Sequence, residues 1–367
     1  MKAAVLYETN EPMRLVDLQI GDARDGEVRV RVGAAGVCLS DHHFIAGTGA
    51  MQRPVVLGHE GAATVEEVGP GVDSVRPGDR CIMSFVSNCG HCRSCREGSP
   101  QTCETNRGSG ARQFDGTLRL RDGEGVEVYQ MSKLGLFGQQ AVVPAQACYP
   151  IPDEVPLEIA ALIGCCVTTG VGAVINNPFI EAGATVAVFG VGGVGLNVLQ
   201  GARLINASRI IAVDVLEAKL DFARRFGATD FVDASKDDPV KAITELTGGG
   251  VDFAFDAFGS AKTISQSVDS VRINGTAVMI GIAPDGERAP IEMVTLVRNQ
   301  KKLMGSYYGS ASPHETFRKM VDFYLHDRLD LQSLITRRYP LDQINEAFDD
   351  LVSGGVGRGV LKISDDE

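Results

Sequence analysis

The segment from Thr185 to Gly195 reads TVAVFGVGGVG and decides the fold of the second half of the chain. Its apolar first part, Thr185–Phe189, is predicted to be a strand and leads into a G-x-G-x-x-G turn that opens a stretch with helical spacing. Glycines here permit a tight turn and let backbone N–H groups approach a pyrophosphate at the positive end of the helix. The segment therefore predicts a dinucleotide-binding turn. The predicted contact residues are Gly190, Gly192, Gly193, Val194 and Gly195.

Two side chains beyond the turn bear on the choice of nucleotide. Asp214 stands nineteen residues after Gly195, at the end of the next predicted strand, where a carboxylate can accept hydrogen bonds from a ribose diol. Because an acid at this position repels a 2′-phosphate, the sequence favours NAD over NADP. Lys219 could reach the same ribose edge, although a solvated helix lysine fits the pattern equally well.

The pattern of apolar runs on either side of this turn divides the chain into two domains. Downstream, short apolar runs alternate with stretches of helical spacing, which is typical of parallel βαβ units. Upstream, β-type runs are separated by Gly, Pro and Asp turns, and the C-terminal part reads as two helices and a closing strand. We predict an α/β protein in which a Rossmann doubly wound parallel sheet, residues 167–309, is inserted into a β-rich domain of residues 1–166 and 310–367. The strands predicted for the parallel sheet are Thr185–Phe189, Arg209–Val213, Asp230–Val232, Asp252–Asp256, Thr276–Ile280 and Leu303–Tyr308.

Four of the nine cysteines are crowded into one segment, residues 86–106, with the spacing C-x2-C-x2-C-x7-C. In a chain without an export signal at its N-terminus, such crowding favours a metal over disulfides. Four thiolates complete the tetrahedral shell of Zn²⁺ and leave no open position, so the predicted ion is structural. An iron–sulfur cluster is the alternative, but its fourth cysteine usually follows after three residues and precedes a proline, unlike the fourth cysteine here. The predicted ligands are Cys89, Cys92, Cys95 and Cys103.

The composition limits the classes of function that are open to the chain. Of its 367 residues, 44% are hydrophobic and 22% charged, as in ordinary soluble globular proteins. The net charge of -12 has the wrong sign for neutralising phosphates, so nucleic acid is not an expected partner. The most apolar stretch, residues 157–175, contains Glu158, three glycines and two threonines, and we interpret it as a buried helix and not a membrane span. The N-terminal sequence MKAAVLYETN has only a five-residue apolar stretch and no cleavage site that would mark secretion, so a cytoplasmic location is expected.

Three further candidate metal ligands, Cys38, His59 and Cys165, are dispersed along the chain. No spacing rule joins them, and by pattern alone the two cysteines are more readily small buried apolar residues. Taken with their neighbours, however, they make the chain resemble the zinc-dependent medium-chain alcohol dehydrogenases over nearly its whole length. The resemblance is carried by GVCLSD at 36–41, GHE at 58–60, GC at 164–165, the four cysteines, the nucleotide turn and Arg358.

This resemblance implies a β-rich catalytic domain of the GroES-like type and a second Zn²⁺ at an open site, with two ions per chain in all. Cys38, His59 and Cys165 are then the ligands of the catalytic ion. Asp41 and Glu60 are carboxylates beside it, and Asp41 orients the imidazole of His59. Solvated surface acids are the alternative interpretation of these two carboxylates.

The resemblance also implies a reaction: reversible oxidation of primary or secondary alcohols to aldehydes or ketones by hydride transfer to NAD. Ser40 matches the hydroxyl that takes the alcohol proton, and His43 matches the imidazole that passes it toward solvent. Phe85 and Met131 match positions that line the substrate pocket, although both could be ordinary core residues. Arg358 is the expected partner of the cofactor phosphates.

Two other functions remain open at this point. A thiol-adduct formaldehyde dehydrogenase, dependent on glutathione or mycothiol, would share these motifs. A non-catalytic family member is disfavoured, because a chain relieved of chemistry has no physical reason to keep three dispersed ligands and the Ser40 hydroxyl. The long segment between Cys103 and Phe137 resembles that of dimeric members, so a homodimer acting on a small-molecule alcohol or aldehyde is expected.

Overall fold

A computed structural model of the chain describes residues 1–364, which form two compact units. The first unit consists of Met1–Cys165 together with the chain from Ala311 onward, and the second unit is Cys166–Ser310. The division places the nucleotide turn in the second unit and both groups of candidate zinc ligands in the first.

Strands dominate the first unit and alternate with helices in the second. In chain order the strands are β1 Lys2–Leu6, β2 Arg14–Asp17, β3 Gln19–Ile20, β4 Glu27–Gly36, β5 Val55–Val56, β6 Gly61–Val68, β7 Arg80–Met83, β8 Leu120–Arg121, β9 Glu127–Gln130, β10 Gln140–Pro144, β11 Cys148–Pro150, β12 Thr185–Phe189, β13 Arg209–Asp214, β14 Asp230–Asp233, β15 Val251–Asp256, β16 Val271–Met279, β17 Lys302–Gly305, β18 Ile335–Pro340 and β19 Arg358–Lys362.

The helices are mostly short, with the longest near the C-terminus. In chain order they are α1 Leu39–Ile45, α2 Arg93–Arg96, α3 Glu104–Ser109, α4 Leu157–Leu162, α5 Thr168–Ile175, α6 Gly193–Leu204, α7 Glu217–Ala223, α8 Pro239–Thr247, α9 Ala261–Ser270, α10 Met293–Arg298, α11 Pro313–Leu325 and α12 Ile344–Val352. A π-helical turn, Ile163–Val167, joins α4 to α5. Short 3₁₀ turns occur at Pro100–Thr102, Met131–Lys133, Ala145–Ala147, Arg224–Phe226, Tyr308–Ser310 and Leu341–Gln343.

The second unit contains one parallel sheet with the strand order β14-β13-β12-β15-β16-β17. Numbered within the unit, this is the order 3-2-1-4-5-6 of a Rossmann fold, so the predicted fold class is confirmed. The order reverses between β12 and β15, and ligands of such sheets bind at the carboxyl ends of the strands beside this reversal. The last strand is shorter than predicted: it ends at Gly305, and Tyr308 lies in a 3₁₀ turn with a φ of 52°.

The first unit contains two sheets, both largely antiparallel. One has the order β2-β1-β5-β9-β8-β3, and the other has the order β11-β7-β6-β4-β19-β18, with β10 also paired to β4. The closing strand β19 pairs with β4 so that Val360 stands opposite Gly36, which returns the C-terminal segment to the first unit. Strand β4 is almost entirely buried, and side chains from both sheets form one apolar core around it. This is the β-rich domain that the sequence predicted.

One helical stretch, Leu157–Ile175, is long and apolar enough to cross a membrane by length and composition alone. In the structure, however, 83% of its most apolar window is buried inside the protein. That burial is typical of a core helix in a soluble protein and agrees with the interpretation made from the sequence.

Candidate zinc and nucleotide sites

The three dispersed candidate ligands come together in the first unit; we call Cys38, His59 and Cys165 the dispersed cluster. One ligand atom of each, and one carboxylate oxygen of Glu60, all lie within 4.8 Å of one another. Cys165 Sγ is 3.3 Å from His59 Nε2. All four residues are buried, so the fold creates a compact group of sulfur, nitrogen and oxygen donors that the sequence spacing does not reveal.

Each ligand of the dispersed cluster comes from a different element. Cys38 follows β4 and stands immediately before α1, His59 lies between β5 and β6, and Cys165 lies in the π-helical turn. Such turns within helices are frequent at functional sites. Packing around the cluster is tight: a Cβ at Gly36 would come within 2.6 Å of the Glu60 carboxyl group, so only glycine fits there.

His59 is held by a buried carboxylate. Its Nδ1 lies 3.0 Å from Oδ2 of Asp41, whose Oδ1 accepts a hydrogen bond of 2.9 Å from the backbone N–H of Gly58. Burial lowers the pKa of His59, but Asp41, with a smaller contribution from Cys38, outweighs it and raises the pKa well above its ordinary value. With Nδ1 turned to Asp41, Nε2 faces the two thiols, which is the arrangement by which a carboxylate orients a metal-binding imidazole.

The donors of the dispersed cluster suit a divalent zinc ion. Hydrogen bonding with Cys165 lowers the pKa of Cys38; burial opposes this, but His59 and Arg358 add to it, so the pKa is well below its usual value. A thiolate, a second thiol and an imidazole are the ligand types that Zn²⁺ prefers, and three protein ligands leave a position for substrate. The residues present therefore fit a catalytic zinc site.

A buried ion pair lies against the dispersed cluster. Arg358 Nη2 donates a hydrogen bond of 2.6 Å to Oε2 of Glu60, and the two residues are 5% and 0% exposed. Arg358 also contributes to the low pKa of Cys38. The structure thus gives both predicted residues a place beside the cluster, while the expected contact of Arg358 with cofactor phosphates stays a prediction.

The predicted proton-transfer residues, Ser40 and His43, are both half-buried on helix α1. His43 Nδ1 lies 3.0 Å from Oγ1 of Thr48, and the Thr48 hydroxyl donates a hydrogen bond of 3.2 Å to the His43 carbonyl oxygen. The adjacent imidazole of His42 instead stacks on Phe348, with ring centroids 6.5 Å apart. Thr48 is a residue that sequence reasoning missed, because a threonine in a glycine-rich turn gives no signal of its own.

The two predicted pocket residues have different surroundings. The ring of Phe85 meets the imidazole of His59 edge-on, with centroids 5.4 Å apart. Met131 is 5% exposed and belongs to the apolar core of the first unit. Phe85 therefore lies at the dispersed cluster, and substrate contact by either side chain stays a prediction.

The second group of ligands is the four-cysteine cluster: Cys89, Cys92, Cys95 and Cys103. Their sulfur atoms all lie within 4.8 Å of one another. Backbone N–H groups already point at the sulfurs, since the Cys89 N–H donates to Cys103 Sγ and the Cys92 N–H donates to Cys89 Sγ, both at 3.3 Å. Such N–H···S bonds stabilise thiolates, as metal ligation requires.

Cys89 and Cys95 of the four-cysteine cluster have pKa values that depart from the ordinary value, in opposite directions. Partial burial raises the pKa of Cys89, but hydrogen bonds from Thr105 and from the backbone lower it to about 6. Burial and hydrogen bonding with Cys92 raise the pKa of Cys95 to about 12. Four sulfur atoms within 4.8 Å of one another fit a site where one Zn²⁺ replaces the thiol protons.

The nucleotide turn has the geometry that its glycines predict. Gly190 has a φ of 82°, and a Cβ at Gly195 would collide with the Gly190 carbonyl oxygen. Helix α6 begins at Gly193, so its first N–H groups face the turn. Asp214 ends β13 beside the turn, and its Oδ2 accepts a hydrogen bond of 3.0 Å from the Val191 N–H.

Other residues around the turn were not identified from the sequence. Large apolar side chains are exposed directly beyond the carboxyl ends of three strands of the parallel sheet. Their position right after a predicted strand end, where polar turn residues are the rule, is a signal that could have found them. They are Val215, Leu216, Phe258 and Ile282. Lys219 is half-buried in α7, and its contact with the ribose edge stays a prediction.

Comparisons with known proteins match a different family model to each part of the chain. The family model described as the alcohol dehydrogenase GroES-like domain matches residues 24–153. The model described as zinc-binding dehydrogenase matches residues 193–326. The chain is 36% identical over 375 residues to alcohol dehydrogenase B of Mycobacterium tuberculosis, covering 100% of this chain and 99% of that one. It is also 36% identical over 369 residues to S-(hydroxymethyl)glutathione dehydrogenase of Saccharomyces cerevisiae, covering 98% and 95%.

Solved structures match over almost the entire chain. Benzyl alcohol dehydrogenase of Acinetobacter calcoaceticus superposes with a TM-score of 0.91 at 32% identity, covering 99% of both chains. A zinc-binding dehydrogenase of Sinorhizobium meliloti bound to NADP superposes with a TM-score of 0.80 at 27% identity, covering 98% of both chains.

A Rossmann unit with a dinucleotide turn, next in sequence to a β-rich unit with buried candidate zinc ligands, is typical of one class of oxidoreductases. The chain belongs to the zinc-dependent medium-chain alcohol dehydrogenase family. The predictions of an enzyme, of zinc and of a nicotinamide dinucleotide cofactor are thereby confirmed at the level of the family.

Proposed function

We propose that this enzyme oxidises primary or secondary alcohols to aldehydes or ketones, reversibly, with NAD as hydride acceptor. The observation that carries the proposal is the dispersed cluster, whose buried ligand atoms lie within 4.8 Å of one another together with one oxygen of Glu60. When bound, zinc supplies the Lewis acidity that makes an alcohol hydroxyl acidic near neutral pH, and NAD supplies the hydride acceptor.

Within this proposal, Cys38, His59 and Cys165 hold the catalytic zinc. Asp41 keeps the His59 imidazole in the orientation and tautomer that direct Nε2 to the metal. The ion pair of Glu60 with Arg358 fixes a carboxylate beside the ligands without leaving a net charge in the core. The four-cysteine cluster holds the second, structural zinc, which gives two ions per chain.

The proton released from the alcohol is proposed to leave through Ser40 and His43. The Thr48 hydroxyl donates its single proton to the His43 carbonyl oxygen, so its Oγ1 is left to accept a hydrogen bond from Nδ1–H. This tautomer of His43 carries no proton on Nε2, which can therefore accept one. Thr48 is thus a positioning residue for the proton relay.

NAD preference is assigned to Asp214. Its carboxylate ends β13 and is already turned toward the nucleotide turn by the Val191 N–H. In that place it can accept hydrogen bonds from the adenosine ribose and repel a 2′-phosphate. Because a relative binds NADP, this preference is a property to measure for the present chain and not a property of the fold.

A thiol-adduct formaldehyde dehydrogenase is the second candidate function. The 36% identity to S-(hydroxymethyl)glutathione dehydrogenase equals the identity to alcohol dehydrogenase B, so likeness alone does not separate the two substrate classes. Both candidates use the same zinc ligands and the same hydride acceptor. They differ in the substrate that must be accommodated beside the metal, a small alcohol or a bulky charged thiol adduct.

The experiment that separates them is a spectrophotometric assay of NADH formation. Short-chain, long-chain and aryl alcohols are compared with formaldehyde, in the presence and absence of glutathione or mycothiol. Turnover of alcohols without thiol supports the proposal, whereas formaldehyde oxidation that requires a thiol replaces it with the second candidate. No turnover of any of these substrates by zinc-loaded protein contradicts both.

We also propose a cytoplasmic homodimer. All nine cysteines are free, as a reducing compartment would keep them. Strand β17 is the edge of the parallel sheet, and apolar side chains are exposed on β17 and on the preceding α10, with Met293 78% and Val297 74% exposed. An open edge strand beside an apolar patch can pair with its own copy across a two-fold axis. Light scattering at micromolar concentration should give the mass of a dimer, and a monomer or tetramer would contradict the proposal.

A further inference from the structure

A buried lysine lies beside the four-cysteine cluster and takes no part in the reaction proposed above. Lys133 is 1% exposed, and its Nζ donates hydrogen bonds to the Asn106 carbonyl oxygen at 3.1 Å, Asn106 Oδ1 at 3.2 Å and the Gly110 carbonyl oxygen at 3.0 Å. These three acceptors are uncharged. Because a buried ammonium group is costly unless an opposite charge compensates it, the position of this lysine requires an explanation.

The four-cysteine cluster offers the missing negative charge. Four thiolates around one Zn²⁺ carry two net negative charges, and Cys103 is 0% exposed, so that part of the charge is held away from water. Burial lowers the pKa of Lys133 to about 8, and the Cys103 sulfur acts in the opposite direction by favouring the charged ammonium. The lysine and the cluster are therefore coupled electrostatically.

Asn106 links the lysine to a ligand directly. Its backbone N–H donates to Cys103 Sγ at 3.5 Å in the first turn of α3, while its Oδ1 accepts from both Lys133 and the Ser87 N–H. A shift of the ammonium group would thus move the residue whose N–H stabilises the Cys103 thiolate. Partners of this kind around a metal site orient the ligands and tune their charge.

The backbone around the lysine is bent in an unfavourable way. Ser132 and Lys133 both have left-handed conformations, with φ of 55° and 64°, although neither is a glycine. The turn is held by Gln113, whose Nε2 donates to the Lys133 carbonyl oxygen at 3.3 Å. Two successive strained residues persist only where the surrounding structure enforces them, and here they direct a charged side chain inward.

We propose that Lys133 is the counter-charge and positioning residue of the four-cysteine zinc site. Its ammonium group offsets the negative charge of the zinc-bound thiolates and holds Asn106 against Cys103. The inference rests on the proposed structural zinc at this cluster. It concerns retention of that zinc and not the chemistry at the dispersed cluster.

A purely structural role, in which Lys133 only binds carbonyl oxygens at the end of α3, has a matched case in the second unit. Lys301 Nζ donates to the Val268 carbonyl oxygen at 2.8 Å and to the Asp269 carbonyl oxygen at 3.1 Å near the end of α9. Burial lowers the pKa of Lys301 as well. Lys301→Gln therefore measures how the loss of a lysine that binds the end of a helix affects zinc release when the lysine contacts neither the dispersed cluster nor the four-cysteine cluster.

The experiment measures zinc release from the purified holoenzyme into a chromogenic chelator. The wild-type protein is analysed first, because fewer than two zinc ions per chain would contradict the proposed sites before Lys133 is tested. Dehydrogenase activity in the same samples identifies the phase of release that belongs to the dispersed cluster. The other phase reports the four-cysteine cluster.

Lys133→Gln keeps a hydrogen-bond donor but removes the charge, and we expect zinc at the four-cysteine cluster to bind roughly 10- to 100-fold more weakly. Lys133→Arg should restore most of this affinity. The zinc phase of the dispersed cluster should be unchanged in both variants. Lys301→Gln is expected to release zinc at the wild-type rate. If Lys133→Gln does so as well, the role of Lys133 as a counter-charge is refuted, and its role is limited to the hydrogen bonds with the end of α3.

A second variant keeps the proposal testable if Lys133→Gln does not fold. Asn106→Asp has nearly the same shape and places a carboxylate next to the Lys133 ammonium group. The carboxylate neutralises the positive charge of Lys133, so the lysine no longer offsets the negative charge of the cluster. We expect faster zinc release from the four-cysteine cluster. Unchanged or slower release would mean that Lys133 acts only by hydrogen bonding to the end of α3, and it would overturn the proposal.

Discussion

The dispersed cluster and the four-cysteine cluster differ in where their ligands originate. The four-cysteine cluster takes all its ligands from a segment of fifteen residues, Cys89 to Cys103, and three of them are only half-buried. The dispersed cluster takes its candidate ligands from the connection between β4 and α1, the loop between β5 and β6, and a π-helical turn, and all of them are buried. The first cluster can therefore stabilise its own segment, whereas the second can form only after the sheets of the first unit have assembled.

The number of ligands separates the two clusters further. Four thiolates fill the coordination shell of zinc, so the four-cysteine cluster can contribute stability but offers substrate no position. In the proposed function, three protein ligands leave the zinc of the dispersed cluster one open position, and the alcohol would bind there. Substitutions in the dispersed cluster should thus lower mainly the activity, and substitutions in the four-cysteine cluster should lower mainly the stability.

The largest effect is expected for His59→Ala. The variant should lose one zinc per chain, and since a metal supplies several kcal/mol of charge stabilisation, turnover should fall by roughly 1,000-fold or more. His314→Ala is the control, because His314 is a half-buried histidine of the first unit that lies outside both clusters and contacts the Gln146 carbonyl oxygen. Elemental analysis and initial rates check the prediction, and retention of two zinc ions by His59→Ala would contradict it.

Cys95→Ser should have the opposite profile. Loss of a structural metal belongs to the most destabilising changes, so we expect a cost of about 4 kcal/mol or more and a melting temperature lower by roughly 10 °C. The fraction that stays folded should turn over at nearly the wild-type rate. Cys81→Ser, at a buried cysteine outside both clusters, is the control for thermal unfolding and zinc content. Equal zinc content in Cys95→Ser and the wild type would show that Cys95 is not a ligand.

Ser40→Ala should keep both zinc ions and bind NAD, yet turn over more slowly by about 10² to 10⁴, the usual cost of removing an acid–base group. His43→Gln should be milder and partly rescued at higher pH, where bulk base replaces the relay. Pre-steady-state rates of hydride transfer as a function of pH are the appropriate measurement. Wild-type turnover in Ser40→Ala would remove this residue from the proton path.

Asp214→Gly should change cofactor choice without touching either cluster. Charge-assisted hydrogen bonds contribute about 1.5 to 3 kcal/mol each, so the wild-type enzyme should prefer NAD over NADP by roughly a hundredfold, and the variant should lose most of that ratio. Asp233 ends the neighbouring strand β14, and Asp233→Asn is the control. The ratio of kcat/KM for the two cofactors decides; an unchanged ratio in Asp214→Gly would place the carboxylate away from the ribose.

The smallest effect is expected for Thr48→Val. Loss of one neutral hydrogen bond costs about 1 kcal/mol, so hydride transfer should slow by roughly fivefold, with a displaced pH profile and unchanged KM for NAD. Thr48→Ser retains the hydroxyl and should behave like the wild type. An identical pH profile in Thr48→Val and Thr48→Ser would mean that Thr48 does not set the tautomer of His43.

The sequence predicted those features that are local in the chain. The nucleotide turn and the four cysteines are contiguous patterns, and each appears in the structure as a close group of backbone or sulfur atoms. The parallel strands were recognised because a sheet covered on both faces requires apolar runs. The predicted end of the last strand at Tyr308 was wrong, since its apolar character continues beyond Gly305 while the backbone turns.

Features that depend on long-range contacts could not be derived in the same way. Cys38 and Cys165 look like ordinary core cysteines, and their selection as ligands depended on the family resemblance. No sequence pattern identifies Thr48 or Lys133. A turn brings Thr48 to His43, and a strained backbone directs the Lys133 side chain inward, and neither feature can be predicted from the sequence. Ligands that are neighbours in the sequence can thus be predicted from their spacing, whereas ligands that come together only in the folded chain cannot.

The π-helical turn at Ile163–Val167 has a consequence for insertions and deletions. A turn of this kind holds one residue more than a regular α-helix needs, so deleting a single residue could restore continuous α-helical bonding from α4 into α5. Because the extra residue is taken up within the turn, such a deletion would act on the side chains of the turn itself, Cys165 among them. The deletion is therefore expected to displace the Cys165 sulfur from the other members of the dispersed cluster. The local conformation of this turn, and not only the identity of one cysteine, is what places Cys165 in the dispersed cluster.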